Sequence, residues 1–398
     1  MFKRKNGYHI LWHGSVDEAG GYGASNLALL KALAETGKVH AYPIDTRQDL
    51  KVGIAYVPAG MGHLETLPTP YRVLFTMFEA DRWPQEWLNA CNCANQVWVP
   101  SQFCKDALIT SGCQSPIEIV PLGVDPEFYF HSPFEPKGRP KEFTFGFAGS
   151  ATLRKGYDLV LCAFAEEFQG AHDVRLIIRS SNMLSSSKAK DSRIQTIDGR
   201  VSAQDMRDFY RSIDLVVLPT RGEGFGLTPL EAMACGTCVA VTNWSGCAEY
   251  LGDHALRIGI DRLEDCTGYH GCKGRWARPS LASLRYCMRY AYDNRDKIRA
   301  MGEASAIHVA ENWTYEKSAG KILSLLKRVN PNERIEVEDR AVVIWNGDPK
   351  RVITAVGGFV RGIPRELTQD QIARLNPPDI GAHGFSIETR YRRINGSA

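Results

Sequence analysis

The chain has 398 residues, 44% of them hydrophobic and 23% charged, with 48 basic against 45 acidic side chains and a net charge of +3. That length supports two or three domains with real cores, and the near-balanced charge neither demands nucleic acid nor excludes an anionic surface. No run approaches a membrane span, and Ile10-Leu11-Trp12 is too short for a secretory apolar core, so a cytoplasmic protein is expected, with peripheral membrane contact left open.

In chain order, a first strand over Tyr8–Trp12 leads to Gly20-Gly21-Tyr22-Gly23 and a helix over about Ala24–Ala34. Strand, glycine turn and helix open a nucleotide-binding domain. A dehydrogenase is the natural rival, because Asp45 follows a second strand about where a ribose-binding acid would stand, but Asn26 occupies the place of the third glycine. Arg72–Glu79 reads as a strand running into a loop. Gln96–Val99 is a strand stopped at Pro100, with Ser101 capping the next helix. Ile117–Asp125 supplies a strand and turn, and residues 131–141, with three prolines and a glycine, read as a linker.

Phe143–Gly149 opens a second domain, followed by Arg154-Lys155-Gly156 and a helix over Tyr157–Phe168. Two adjacent cations on a loop can neutralise a diphosphate, the arginine bidentately, although such a pair is often only a solvated surface. Strands are expected at Val174–Arg179 and from Ile194, the latter running into a loop at Arg200-Val201.

The central stretch is Arg221–Gly236, preceded by the buried-strand signal Leu215–Leu218. Thr228 is expected as N-cap, Pro229 as the first helical residue and Gly236 as the terminating glycine. The turn would then present backbone N–H groups of Gly224, Phe225, Gly226, Leu227 and Thr228 to an anion, most plausibly phosphate. Glu223 and Glu231 flank that cradle and can accept hydrogen bonds from hydroxyls on either side of it, as a nucleotide sugar offers. The plainer alternative is a capping box, Thr228-x-x-Glu231, with Glu223 a solvated loop residue.

Beyond it come a strand at Cys238–Val241, a glycine-containing loop over Asn243–Glu249, helices over Leu281–Tyr292 and Arg295–Asn312, and a last helix to about Lys327. Residues 332–398 form an appendage: Ala341–Trp345, Asn346–Pro349 and Val352–Val356 signal a hairpin. Thr368 and Gln371 could cap a short helix, and the basic end Phe385–Arg393 reads as a mobile or packing tail rather than a phosphate or nucleic-acid patch. The eleven cysteines follow no repeated Cys-x-x-Cys frame, and Cys266, His270 and Cys272 lack a fourth ligand at the usual spacing, so reduced thiols and no metal are expected.

Glu223 through Glu231 resembles the Glu-x7-Glu signature of retaining family-4 glycosyltransferases, and the resemblance extends over about residues 8–328. It implies an α/β protein of the GT-B fold, with two Rossmann-like parallel-sheet domains facing across a cleft. These would be an acceptor-side domain over 1–130 completed by a helix at 315–328, and a donor-nucleotide domain over 142–314. The resemblance places Glu223 on the donor sugar, Glu231 on the ribose, Gly21 in the loop over the diphosphate, and Arg200 and Val201 at the base edge. Arg154 and Lys155 would neutralise the leaving group, with Ser150 standing where the family often has an arginine. The family's histidine after the Arg72–Glu79 strand is missing; Glu79 and Thr76, and less so Asp81, are candidates for its place, and Glu249 corresponds to a further family acid.

The implied reaction moves a sugar from a UDP- or GDP-linked donor to an acceptor hydroxyl with retention of configuration, without cofactor or metal. The acceptor is left open among glycan, lipid-linked glycan, protein and modified nucleic-acid base. A nucleotide-sugar epimerase, a phosphorylase and a non-catalytic sugar-nucleotide-binding protein are the alternatives.

Overall fold

Branched and aromatic runs such as Leu215–Leu218 and Phe143–Ala148 are buried at every position, as strands of parallel sheets covered on both faces must be. The computed structural model describes residues 7–15, 21–43, 50–61, 64, 67–131, 142–180, 191–199, 202–266, 268–329, 335–345, 364–368 and 385–393.

The first sheet contains β1 (Tyr8–His13), β2 (Val39–Tyr42), β3 (Val52–Tyr56), β4 (Tyr71–Phe75), β5 (Gln96–Val99) and β6 (Ile117–Ile119). Its order is β2-β1-β3-β4-β5-β6, parallel throughout. Helices α1 (Gly21–Glu35), α2 (Gln85–Asn92) and α3 (Gln102–Thr110) connect these strands. Helix α1 begins at Gly21, earlier than the expected Ala24, which brings Gly21 to the helix start.

The second sheet contains β7 (Phe143–Ala148), β8 (Val174–Ser180), β9 (Ile194–Asp198), β10 (Leu215–Leu218), β11 (Cys238–Thr242) and β12 (Leu256–Ile258), ordered β12-β11-β10-β7-β8-β9. Its helices are α4 (Tyr157–Glu167), α5 (Ala203–Ser212), α6 (Leu227–Ala234), α7 (Leu281–Asp293) and α8 (Arg295–Asn312). Helix α9 (Tyr315–Leu326) then returns to the first sheet and packs on α1. Strand order reverses between β1 and β3 in one sheet and between β7 and β10 in the other; ligands of open parallel sheets bind beyond the carboxyl ends at such points. This is the GT-B arrangement.

One element was not anticipated. Residues 260–279 form an antiparallel hairpin, β13 (Ile260–Asp265) with β14 (Arg275–Pro279), whose tip carries Tyr269 and His270. Arg275 clamps Asp81 in the loop after β4 through its backbone N–H at 2.6 Å and its guanidinium at 3.0 Å, so Asp81 docks the hairpin against the first domain. A second tie runs the same way. The Glu249 carboxylate accepts from the N–H groups of Gln102 (2.9 Å) and Phe103 (2.8 Å), capping α3 across the domain boundary rather than the start of its own helix.

Residues 331–398 form a separate unit. Its described residues form a three-stranded antiparallel sheet, with β15 (Ile335–Trp345) between β16 (Pro364–Thr368) and β17 (Phe385–Arg393), and the expected strand Ala341–Trp345 falls in β15. The basic tail is thus a strand, Phe385 to Arg393 pairing along β15, and Thr368 ends β16, while Gln371 lies outside the described residues. The expected strand Val352–Val356 lies outside the described residues, as does Asp45.

Candidate active site

Helix α6 starts two residues earlier than Thr228 and Pro229 suggest. Its N-cap is Gly226, at φ 92°, a left-handed backbone that favours glycine. The N–H groups of Gly226, Leu227 and Thr228 find no acceptor among the described residues, and all three residues line a cavity of about 440 Å³. The expected terminator holds: Gly236 at φ 80° donates to Met233, and Thr237 to Ala232, closing the helix in a Schellman motif.

Glu223, only 5% exposed, sits where β10 runs into this helix. Its carboxylate receives Lys155 Nζ at 2.7 Å, Arg154 Nη1 at 3.2 Å and the Thr220 hydroxyl at 3.1 Å. Burial pushes its pKa up, but Lys155 and Arg154 together outweigh burial and hold the carboxyl below its ordinary value. Its backbone is fixed too, the N–H donating to Ser245 Oγ at 3.0 Å and the carbonyl accepting from Gly246 at 3.0 Å. Glu231 does not fold back on a cap. It accepts from the Tyr210 hydroxyl at 2.8 Å and from Tyr129, and burial raises it to about 7 against those hydrogen bonds.

Arg154 reaches three partners: the Gly222 carbonyl at 2.7 Å, Glu223, and Glu79 Oε1 at 4.0 Å. Glu79 arrives from the first domain, after β4. Burial and neighbouring Glu223 raise its pKa, while Arg154 and a 3.0 Å hydrogen bond from the Tyr269 hydroxyl oppose the rise. Thr76 is buried and accepts from the Ala59 N–H at 3.0 Å, a loop-holding role.

The same cavity is lined by Gly21, Glu79, Arg154 and Lys155, by Glu223 and Glu231, and by the intervening Gly224 to Thr228. Ser150 also lines it. Arg200 and Val201, expected at the base edge, lie outside the described residues; their neighbour Gly199 lines the cavity with Arg179, Ala203 and Met206.

Several contributors carried no sequence signal. Arg221 is one: it grips Asp158 at the start of α4 with two hydrogen bonds of 3.0 and 2.9 Å, and its backbone N–H donates to the Arg154 carbonyl at 2.6 Å. Its guanidinium also donates to the Leu153 carbonyl, so it shapes the loop bearing both cations. Tyr210, Tyr129 and Tyr269 are others; only the glycines at 268, 271 and 274 hinted at a turn near Tyr269. Cys266 and Cys272 lie in that hairpin, donating to the carbonyls of Gly274 and Arg82, each at 3.1 Å. Among the described residues no group of His, Cys, Asp and Glu is arranged to hold a metal, and no helix is long and apolar enough to cross a membrane.

Residues 142–265 match the family described as glycosyl transferases group 1. A D-inositol 3-phosphate glycosyltransferase of Paenarthrobacter aurescens is 30% identical over 51% of this chain and 49% of its own length. A lipopolysaccharide core biosynthesis mannosyltransferase of Rhizobium meliloti is 57% identical over 30% of each chain. The chain spans about half the length of the first of these relatives, and less of the second. Among solved structures, sucrose-phosphate synthase from Thermosynechococcus elongatus superposes with a TM-score of 0.60 at 13% identity, over 81% of this chain and 98% of that one, a likeness of fold. The second domain thus resembles the glycosyl transferases group 1 in sequence, and the two Rossmann-like sheets share the fold of GT-B glycosyltransferases.

Proposed function

We propose that the protein transfers a sugar from a nucleoside-diphosphate donor to an acceptor hydroxyl, with retention of anomeric configuration. One observation carries this reading: Glu223 is clamped by Arg154 and Lys155 beside the open amides of Gly226 to Thr228, with Glu231 on the same cavity.

The diphosphate sits against those amides and the two cations. An incoming diphosphate competes with Glu223 for Arg154 and Lys155, which turns the carboxylate toward the sugar hydroxyls. Glu231, recessed against Tyr210, accepts from the ribose. In the reaction the C1–O bond to the β-phosphate breaks, its electron pair leaving on the phosphate oxygen. The acceptor oxygen forms the new C1–O bond on the same face, and its proton passes to the departing phosphate. Preorganised charge around that phosphate is the main catalytic contribution, and no dedicated base on the acceptor side is required.

The Rhizobium meliloti relative is named for lipopolysaccharide core biosynthesis, so a lipid-linked glycan belongs among the first acceptors to test, with peripheral membrane contact at that step. The experiment is a thermal-shift screen of UDP- and GDP-sugars, followed by nucleoside-diphosphate release against an acceptor panel and NMR assignment of the product anomer. Stabilisation by a nucleotide sugar and an anomer matching the donor's are expected. Donor conversion without any acceptor would favour an epimerase, and stabilisation only by a nicotinamide dinucleotide would overturn the reading.

A further inference from the structure

A second cavity, also about 440 Å³, adjoins the donor cavity and shares Tyr22, Met77 and Glu79 with it. Its remaining lining is Pro58, Gly60, Glu86, Trp87, Tyr269 and His270. Resting on the transfer reading above, we propose that this cavity binds the acceptor as an uncharged sugar ring stacked on Trp87, and that the β13–β14 hairpin of the donor domain forms its selective wall.

Three observations support the assignment. The first is charge. Among the described lining residues there are two carboxylates, Glu79 and Glu86, and no lysine or arginine. Arg154 lines the donor cavity, where it is engaged by Glu223, Gly222 and Glu79, and only the ring of Tyr269 lies between its guanidinium and this one, 5.8 Å from it. A phosphorylated acceptor would bring like charge against both carboxylates, whereas sugar hydroxyls donate to them.

The second is shape. Trp87 is half-buried in a cluster with Phe78 and His270, at ring-centroid distances of 5.0 and 5.4 Å. It rests against the backbone of Gly60, where a Cβ would come within 1.9 Å of the indole nitrogen, so only glycine lets the ring lie there. A pyranose presents polarised C–H groups on one face, and these suit the electron-rich face of an indole while its rim hydroxyls remain free to pair.

The third is strain at the tip. His270 is held at φ 48°, a left-handed conformation uncommon for a residue with a Cβ, and its ring lies 4.6 Å from that of Tyr269. Tyr269 meanwhile holds Glu79 at 3.0 Å, so the wall of the second cavity and the carboxylate shared by both are one hydrogen-bonded unit.

The test uses the full chain, a donor found to bind by thermal shift, and two acceptor series: the methyl glycosides of glucose, galactose and mannose, and the 6-phosphates of the same sugars. Nucleoside-diphosphate release stimulated by a neutral glycoside and not by the phosphates is expected. Trp87→Ala should raise the acceptor KM about tenfold with a smaller change in kcat, and Trp87→Phe should recover most of it. Stimulation by the phosphates alone, by neither series with the donor bound, or an unchanged KM in Trp87→Ala would overturn the assignment and leave the donor site intact. Failure of every nucleotide sugar to bind would overturn the transfer reading and this inference with it.

Discussion

Glu79 and Tyr269, 190 positions apart, meet through a 3.0 Å hydrogen bond between the loop after β4 and the tip of the β13–β14 hairpin. Burial raises Glu79, Arg154 lowers it, neighbouring Glu223 raises it, and the Tyr269 hydroxyl lowers it. Removing that hydroxyl in Tyr269→Phe leaves the carboxyl higher still. A rate that needs Glu79 ionised is then lost at higher pH as acid is added. The acid limb of the kcat/KM profile should move upward, with a loss on the order of tenfold at pH 6. A limb that stays in place would show that Glu79 is not the titrating group.

Lys155 and Arg154 share Glu223 but should fail differently. On the proposed transfer, Lys155→Ala takes one positive charge from beside the departing phosphate and should lower kcat by roughly 10²–10³-fold. Arg154→Met leaves Glu79 without its ion-pair partner and Glu223 to Lys155 alone, with side chains that are 19% and 7% exposed. It should cost about 3–5 kcal/mol of stability, read as a lower denaturant midpoint. Unchanged turnover in Lys155→Ala would remove that residue from the chemistry.

Glu231 couples stability to pH with an unusual sign. Its pKa rises from the usual 4.5 to about 7 on folding, so the folded protein binds the extra proton between those values and loses stability as pH climbs through them. The shift corresponds to roughly 3 kcal/mol at most. Glu231→Gln should therefore be more stable than the parent at pH 8, the gap closing toward pH 5, while its affinity for the nucleotide falls. Urea melts at both pH values, beside a nucleotide titration, check both halves. An advantage that grows toward acid would refute the assignment.

Arg221 is not among the described residues that line the cavity at Glu223, yet it pins Asp158, Leu153 and Arg154. Arg221→Met should loosen residues 150–156, visible as faster hydrogen exchange there, and lower kcat about tenfold or more through misplaced cations. Asp158→Asn should follow it in direction with a smaller effect, since Asp158 is 38% exposed. Slowed turnover without faster exchange would place the cause elsewhere.

The parallel sheets and most of their helices were legible because their signals are local. Buried runs such as Leu215–Leu218, the cap at Ser101 and the terminating glycine at 236 each act over a few residues. That Glu223, Glu231, Arg154 and Lys155 share one cavity was legible for the same reason, since loops at the ends of adjacent strands bring them together in a fold of this order. The start of α6 was misjudged by two residues because Thr228 and Pro229 both suit a helix start, and the left-handed backbone at Gly226 took that place.

By itself, then, the sequence determined the alternating strands and helices of two parallel sheets and a glycine turn between two glutamates at the start of a helix. Only the tertiary structure decided the long-range contacts around that turn: Tyr269 on Glu79, Glu249 capping a helix of the other domain, Arg221 on Asp158, and Trp87 beside a second cavity. Each of those joins residues tens to hundreds of positions apart, and the energy of such a contact depends on geometry in space, which leaves no periodicity or spacing along the chain.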